Sequence, residues 1–364
     1  MAFLKLRDRD AIVTQEGIIM RVYGYSHPSN AYVCDPEYAP GRIYESRDSR
    51  AYREKGRQVY YKFYTDEGLR FVRRNYPQHV IWVKPLRRKL IGVHHENVWR
   101  TRQPHEALQS LFQKRPKDSL LKALHSLLDR VLRRSSLPMS DFGVFGSLLH
   151  DFYHPDFSDL DFIIYGDKEL DRLRETLDIL YREADSPLRN EFVDMKSVHD
   201  KQWKFLNYSP KEYLWHQRRK RIYGIFSPPQ RGRAIKAEFE PVKRWNEIHN
   251  EYDHITSISQ KGWIKLHAHI TNAPDAGFMP SIYQIEPVMT LKGARPDNLQ
   301  RVVSFVEEFR LQVEQDELVV VEGNLEQVST PEESFQQVTL THGPRYYEQT
   351  LKVRQSLLGK NQKV

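Results

Sequence analysis

Apolar residues recur every three or four positions between residues 118 and 135, the spacing that places side chains on one face of an α-helix. The apolar positions in this segment are Leu120, Leu121, Leu124, Leu127, Leu128, Val131 and Leu132. Asp118 or Ser119 fits the N-cap, and Pro138 follows the last turn. The pattern predicts an amphipathic helix over 118–135, and a similar spacing of leucines predicts another over 168–183.

Alternating apolar and polar residues predict strands on both sides of this central segment. Before it, such stretches lie at 11–14, 17–23 and 58–64. After it, five β-rich segments separated by turns lie between residues 255 and 345, and they predict a small closed β-barrel of the oligonucleotide-binding type.

These patterns predict an α+β fold. The predicted organisation is an N-terminal β-rich accessory region over 1–115, a central domain with a mixed sheet and helices over 116–250, the barrel over 255–345 and a basic tail over 346–364.

A stretch in the centre combines residue types suited to chemistry on phosphates. Gly146-Ser147 follows the apolar pair Val144-Phe145, which predicts a strand that turns into a helix. A glycine there lets backbone N–H groups approach a phosphate, and a helix N-terminus favours an anion. Asp159 and Asp161 are two positions apart on a predicted strand, so both carboxylates face the same side. Because such carboxylates repel each other unless a cation lies between them, the pair predicts a divalent metal site.

This stretch resembles the nucleotidyltransferase superfamily related to DNA polymerase β, whose pattern is a Gly-Ser turn followed about a dozen residues later by Asp-x-Asp. The matching residues are Gly146, Ser147, Asp159 and Asp161, and the resemblance covers about residues 118 to 245. It implies an enzyme that transfers a nucleoside monophosphate from an NTP such as ATP to a hydroxyl and releases pyrophosphate. It also implies that Asp159 and Asp161, with a third carboxylate, hold two Mg²⁺ ions, with Mn²⁺ as a substitute.

The resemblance places the third carboxylate on a strand beside the Asp-x-Asp strand. A hairpin is predicted between 222–226 and 234–240, and Lys236, Glu238 and Glu240 share one face of its second arm. Glu238 is preferred because it lies mid-strand, whereas Glu240 directly precedes a proline; the family more often has Asp there. Asp194 is a weaker alternative.

The charge balance favours a polyanionic partner: 56 Lys and Arg residues against 48 Asp and Glu residues give a net charge of +8. Arg219 and Arg221 lie in a basic run just before the predicted hairpin. In one interpretation they bind phosphates of the nucleotide, and in the other they form a solvated basic turn.

The cellular location follows from what the sequence lacks. One cysteine, Cys34, excludes an intramolecular disulfide framework and fits a reducing compartment. The charged start of the chain predicts no signal peptide, and no run of about eighteen apolar residues predicts a membrane segment. The sequence therefore predicts a cytoplasmic protein without a membrane partner.

The acceptor of the nucleotide is open to three interpretations. A nucleic-acid 3′ end, RNA in preference to DNA, is favoured because β-rich regions flank the centre of a basic chain. The first alternative is a protein or small-molecule acceptor. The second is a non-catalytic nucleic-acid-binding protein built on a nucleotidyltransferase scaffold, and the intact Gly146, Ser147, Asp159 and Asp161 argue against it.

Overall fold

The computed structural model describes residues 5–199, 204–229 and 232–354, which fall into two units. The first unit combines the described residues up to Glu191 with Arg221–Tyr252, and the second combines those of Phe192–Lys220 with those from Asp253 onward. Helices hold 27% and strands 37% of the residues, so the predicted α+β class is confirmed. The predicted domain boundaries stay a proposal, because one compact unit can contain more than one domain.

An antiparallel sheet occupies the N-terminal part of the first unit. Its strands run in the order β4-β5-β3-β2-β1-β8, and β7 joins β6 to β3. The strands are β1 Ala11–Thr14, β2 Ile19–Val22, β3 Ala31–Pro40, β4 Tyr52–Lys55, β5 Gln58–Lys62, β6 Val80–Val83, β7 Arg88–His94 and β8 Val98–Arg102. Two helices, α1 Glu67–Asn75 and α2 Pro104–Gln113, accompany them. The strands predicted at 11–14, 17–23 and 58–64 are present as β1, β2 and β5.

A five-stranded mixed sheet in the order β11-β12-β13-β10-β9 forms the rest of the first unit. Its elements are α3 Ser119–Ser135, β9 Phe142–Val144, α4 Gly146–His150, β10 Leu160–Tyr165, α5 Asp167–Arg182, β11 Leu188–Asn190, β12 Tyr223–Phe226 and β13 Ile235–Val242. The predicted helix over 118–135 is confirmed as α3, whose N-cap Asp118 accepts a 2.9 Å hydrogen bond from the Leu121 N–H. Strand β10 pairs with β13 in parallel, and the other pairings in this sheet are antiparallel.

The two sheets of the first unit share buried contacts. One apolar cluster joins Ala11, Val13, Ile19 and Tyr38 of the N-terminal sheet to Leu149 of α4 and to Phe152, which follows that helix. A buried ion pair joins Arg9 to Glu240 of β13 at 2.7 Å. Because an unpaired buried charge is strongly unfavourable, this pair fixes the N-terminal segment against the five-stranded sheet.

The second unit is built mainly from a six-stranded sheet. Its elements are α6 Lys196–His199, α7 Pro210–Arg219, β14 Ser257–Asp275, β15 Ser281–Lys292, β16 Leu299–Ser304, β17 Leu318–Ser329, β18 Ser334–Leu340 and β19 Thr350–Val353. Strand pairing runs from β14 through β15, β16, β18 and β17 and returns to β14, with β16 and β18 parallel. The five predicted strands are therefore present.

One expectation for the C-terminal region is not confirmed, and another needs correction. The pairing of five strands returns to β14, and β19 extends the sheet beyond them, but closure into a barrel is not confirmed. The segment predicted as a basic tail contains β19, in which Leu351 and Val353 are buried. Four residues are too few for alternation to stand out in the sequence. The remainder of the predicted tail, 355–364, lies outside the described residues.

Candidate active site

The Gly146-Ser147 turn lies directly against the Asp-x-Asp strand. β9 ends at Val144, and the Phe145 N–H donates a 3.0 Å hydrogen bond to the Asp161 carbonyl. Gly146 has a φ of +60°, and a Cβ on it would lie 2.6 Å from Asp161 Oδ2. Both the backbone conformation and the close approach therefore require glycine. The predicted strand, turn and helix are all present.

Asp161 and Glu238 lie side by side on the parallel strands β10 and β13, where they are register partners. Asp159 precedes β10 by one residue, and period-2 alternation turns its carboxylate to the same side. Burial raises the pKa of Asp161 to about 8, and the negative charges of Glu238 and then Asp159 contribute to the rise. The structure thus places the three carboxylates preferred from the sequence on one side of two paired strands.

The alternative ligands lie in other surroundings. Glu240 is buried and its carboxylate accepts a hydrogen bond from Arg9, so its charge is already neutralised. Asp194 belongs to the second unit, where it accepts a 2.9 Å hydrogen bond from the Lys196 N–H. Each carboxylate has a local structural role that accounts for it.

Lys236 and Glu191, which the sequence did not single out as site residues, also contribute charge beside the carboxylates. Lys236, two residues before Glu238 on the same face of β13, forms an ion pair with Glu238 and lies 3.8 Å from Glu191. Burial lowers the pKa of Lys236, but these negative charges outweigh it and the net pKa is raised. Burial also raises the pKa of Asp159, although Lys236 opposes that rise. The signal for Lys236 was its position on the face that carries Glu238; nothing pointed to Glu191.

Arg219 and Arg221 each have a carboxylate partner. Arg219 belongs to the second unit, where its guanidinium lies 3.0 Å from Glu314 and 2.7 Å from Glu317. Arg221 belongs to the first unit and lies 3.9 Å from Asp178 of α5. Their predicted contact with nucleotide phosphates stays a prediction.

Asp159, Asp161 and Glu238, here called the acidic group, have the chemistry of a divalent cation site. Within the described ranges, no three His, Cys, Asp or Glu side chains are close enough to form a ready metal cluster. Burial first, and then the negative charges of Glu238 and Asp159, raise the pKa of Asp161, and a cation bound there would offset these effects. Oxygen-only ligands of this kind suit Mg²⁺ and Mn²⁺. The residues present therefore fit the group that the family uses.

Carboxylates on neighbouring strands beside a glycine-led turn are suited to chemistry on phosphates. Residues 124–224 match the family model of the nucleotidyltransferase domain, which is consistent with the polymerase β-like nucleotidyltransferase superfamily. The match includes Gly146, Ser147, Asp159 and Asp161 and ends before Glu238.

Similarity to another protein extends beyond this domain. The chain is 23% identical over 328 residues to an uncharacterized protein of Methanocaldococcus jannaschii, and the alignment covers 89% of this chain and 92% of that protein. No solved structure matches the chain. Among the described residues, every helix is too short or too polar to cross a bilayer.

Proposed function

We propose that this protein transfers a nucleoside monophosphate from an NTP to the 3′ hydroxyl of a nucleic acid, RNA in preference to DNA, and releases pyrophosphate. The observation that carries the proposal is the register pairing of Asp161 with Glu238 beside Gly146. The two strands supply negative charge for metal ions, and the missing Cβ of Gly146 lets the Gly-Ser turn lie directly against Asp161, which supports a nucleotide site there. The cytoplasmic location stays part of this proposal.

Asp159, Asp161 and Glu238 would hold two Mg²⁺ ions or, in their place, Mn²⁺. Bound there, the ions lower the pKa of the attacking hydroxyl and neutralise charge on the leaving pyrophosphate. Glu238 is the third ligand in this proposal because it is the register partner of Asp161, while Glu240 is held by Arg9.

The chain's own groups position the reactants. Gly146 admits the triphosphate beside Asp161, and backbone N–H groups at Gly146 and Ser147 orient it. Lys236 neutralises Glu238 until substrate and ions arrive. The hydroxyl oxygen then bonds to the α-phosphorus while the bond from that phosphorus to the bridging oxygen breaks. The hydroxyl proton passes to solvent, and no protein nucleophile takes part.

Exposed aromatic and basic side chains of the first unit support a nucleic-acid acceptor. Trp99 is 54% exposed and the Arg100 guanidinium lies 4.0 Å from its ring centroid. Trp82 on β6 is 55% exposed, and Lys89 is its register partner on β7. Such aromatic surfaces stack on bases while the cations meet phosphates. The strand order of the second unit also supports an oligonucleotide-binding type of sheet, which we include in the proposal.

The acceptor is tested by offering each NTP, labelled at the α-phosphate, with RNA, single-stranded DNA or protein from a cell extract. RNA ending in a 3′-deoxynucleotide is the matched control. We expect label in RNA, none in the 3′-deoxy control, and RNA binding that weakens steeply with salt, as phosphate contacts require. Label in protein, or equal labelling of 3′-deoxy RNA, would overturn the proposed acceptor.

A further inference from the structure

One face of β5 is turned toward the segment that carries the Gly-Ser turn. Lys62 is the register partner of Tyr38, and alternation places Tyr60 and Lys62 on the same side of the strand. The rings of Tyr60 and Tyr38 pack against Phe152, with centroids 4.8 Å and 5.4 Å apart. The Phe152 N–H in turn donates a 2.9 Å hydrogen bond to the Ser147 carbonyl. Lys62 therefore projects from the N-terminal sheet toward the turn.

Two other cations share this face but are already engaged. Arg53 is the register partner of Tyr60, and its guanidinium donates to two nearby backbone carbonyls at 2.6 Å and 2.8 Å. The Lys55 ammonium lies 3.3 Å from the Asp151 carboxylate. Lys62 differs from both, because no described carboxylate lies within ion-pair distance of its half-buried ammonium.

The turn that Lys62 faces adjoins the carboxylates of the candidate site. The Phe145 N–H donates to the Asp161 carbonyl, and Gly146 lies against Asp161 Oδ2. Lys236, the lysine on the strand beside Asp161, is already bound to Glu238. The Lys62 ammonium lies 5.7 Å from the Tyr64 ring centroid and pairs with no described carboxylate, so it is available to an anion brought by the substrate.

We propose that the Lys62 ammonium binds the terminal phosphates of the NTP and, after transfer, the released pyrophosphate. The inference rests on the proposed function and adds a residue from outside the span that matches the nucleotidyltransferase model. A lysine ammonium is a compact charge that suits phosphate oxygens. Lys62 lies on the side of Gly146 and Ser147, where the triphosphate is oriented. The N-terminal sheet is accordingly part of the nucleotide site.

The test compares nucleotide binding by variants of the full chain. Lys62→Met keeps the length of the side chain and removes its charge, and Lys62→Arg restores the charge. Lys122→Met removes an exposed lysine of α3, in the same unit but outside any proposed site, and is the matched control. Each protein is titrated with ATP, pyrophosphate and AMP in Mg²⁺ by calorimetry, and its melting temperature is recorded to verify folding.

Lys62→Met is expected to lose about tenfold in affinity for ATP and pyrophosphate, about 1.4 kcal/mol, and to bind AMP unchanged. Lys62→Arg should recover most of the loss, and Lys122→Met should bind all three ligands normally. ATP affinity within twofold of normal in folded Lys62→Met would overturn the inference. An equal loss of affinity for AMP would also overturn it. So would a variant that keeps its affinity for ATP and loses affinity for an RNA oligonucleotide.

The results distinguish failure of the proposed transfer activity from failure of the Lys62 contact. A protein that binds ATP through Lys62 but transfers no nucleotide to any acceptor would refute the function and leave the Lys62 contact standing. An unchanged protein that binds no ATP would overturn both.

Discussion

Replacing Asp161 by Asn removes one negative charge from a group of carboxylates and keeps the size of the side chain. Burial, with the charges of Glu238 and Asp159, raises the pKa of Asp161 from 3.8 to about 8. Between these pH values the folded protein holds a proton that the unfolded chain has released. The folded state therefore loses stability as the pH rises from about 4 to 8. Asp161→Asn has no carboxyl group at this position and does not lose stability in this way. Its free energy of unfolding should therefore exceed that of the unchanged protein increasingly as the pH rises from about 4 to 8.

The size of the effect follows from the raised pKa. At about 1.4 kcal/mol per pH unit, the loss at pH 7 is at most about 4 kcal/mol. Asp161 keeps partial contact with solvent, which weakens electrostatic energies, so we expect about 1–2 kcal/mol. For a unit of this size that corresponds to a melting temperature about 2–8 °C higher at pH 7, with little difference near pH 4.

The assay is calorimetric unfolding of both proteins from pH 4.5 to 8 in a chelating buffer, repeated with saturating Mn²⁺. Mn²⁺ should stabilise the unchanged protein and have much less effect on Asp161→Asn, which lacks one ligand. Asp129→Asn, which removes an exposed carboxylate of α3 that lies 3.9 Å from Arg133, is the matched control. A lower melting temperature for metal-free Asp161→Asn at pH 7 to 8 would refute the inferred repulsion.

Two further predictions concern the turn and the choice of third carboxylate. Gly146→Ala places a Cβ 2.6 Å from Asp161 Oδ2 and should lower NTP affinity and transfer by at least about tenfold. Gly343→Ala, which meets no heavy atom within 4 Å, is its control in nucleotide titrations, and normal binding by Gly146→Ala would contradict the close approach. Glu240→Gln breaks the buried pair with Arg9 and should lower the free energy of unfolding by about 3 kcal/mol, with transfer per folded molecule retained. Glu238→Gln should lose transfer and keep its free energy of unfolding. If instead Glu240→Gln loses transfer and Glu238→Gln retains it, as measured in transfer assays with denaturant titrations to verify folding, Glu240 would be the third ligand.

Elements whose signal is local were predictable from the sequence. The helix α3 has seven apolar positions at helical spacing and an N-cap, and β10 is a short apolar strand, so neither depends on distant contacts. Strand β19 was not predictable, because four residues carry too little pattern and its place depends on pairing with β17. The closed barrel was inferred from strand number, which determines neither which strands pair nor whether the pairing closes.

The same distinction applies to the candidate site. Glu238 could be singled out because alternation along β13 puts it on one face with Lys236, and the parallel register then sets it opposite Asp161. Alternation alone could not separate Glu238 from Glu240, because Arg9 arrives from the far end of the chain. Lys62 was missed for a similar reason. Its strand was predicted, but only the packing of Tyr60 on Phe152 reveals which face meets the turn.

The most direct test of the account is transfer of labelled α-phosphate from NTP to RNA with a free 3′ hydroxyl in Mg²⁺. It compares the unchanged protein with Asp161→Asn and Glu238→Gln, after each variant has been verified to fold. We predict that the unchanged protein releases one pyrophosphate for each nucleotide added, and that both variants lose transfer by about a thousandfold or more. Transfer retained by either variant, or absent from the unchanged protein with every NTP, would contradict it.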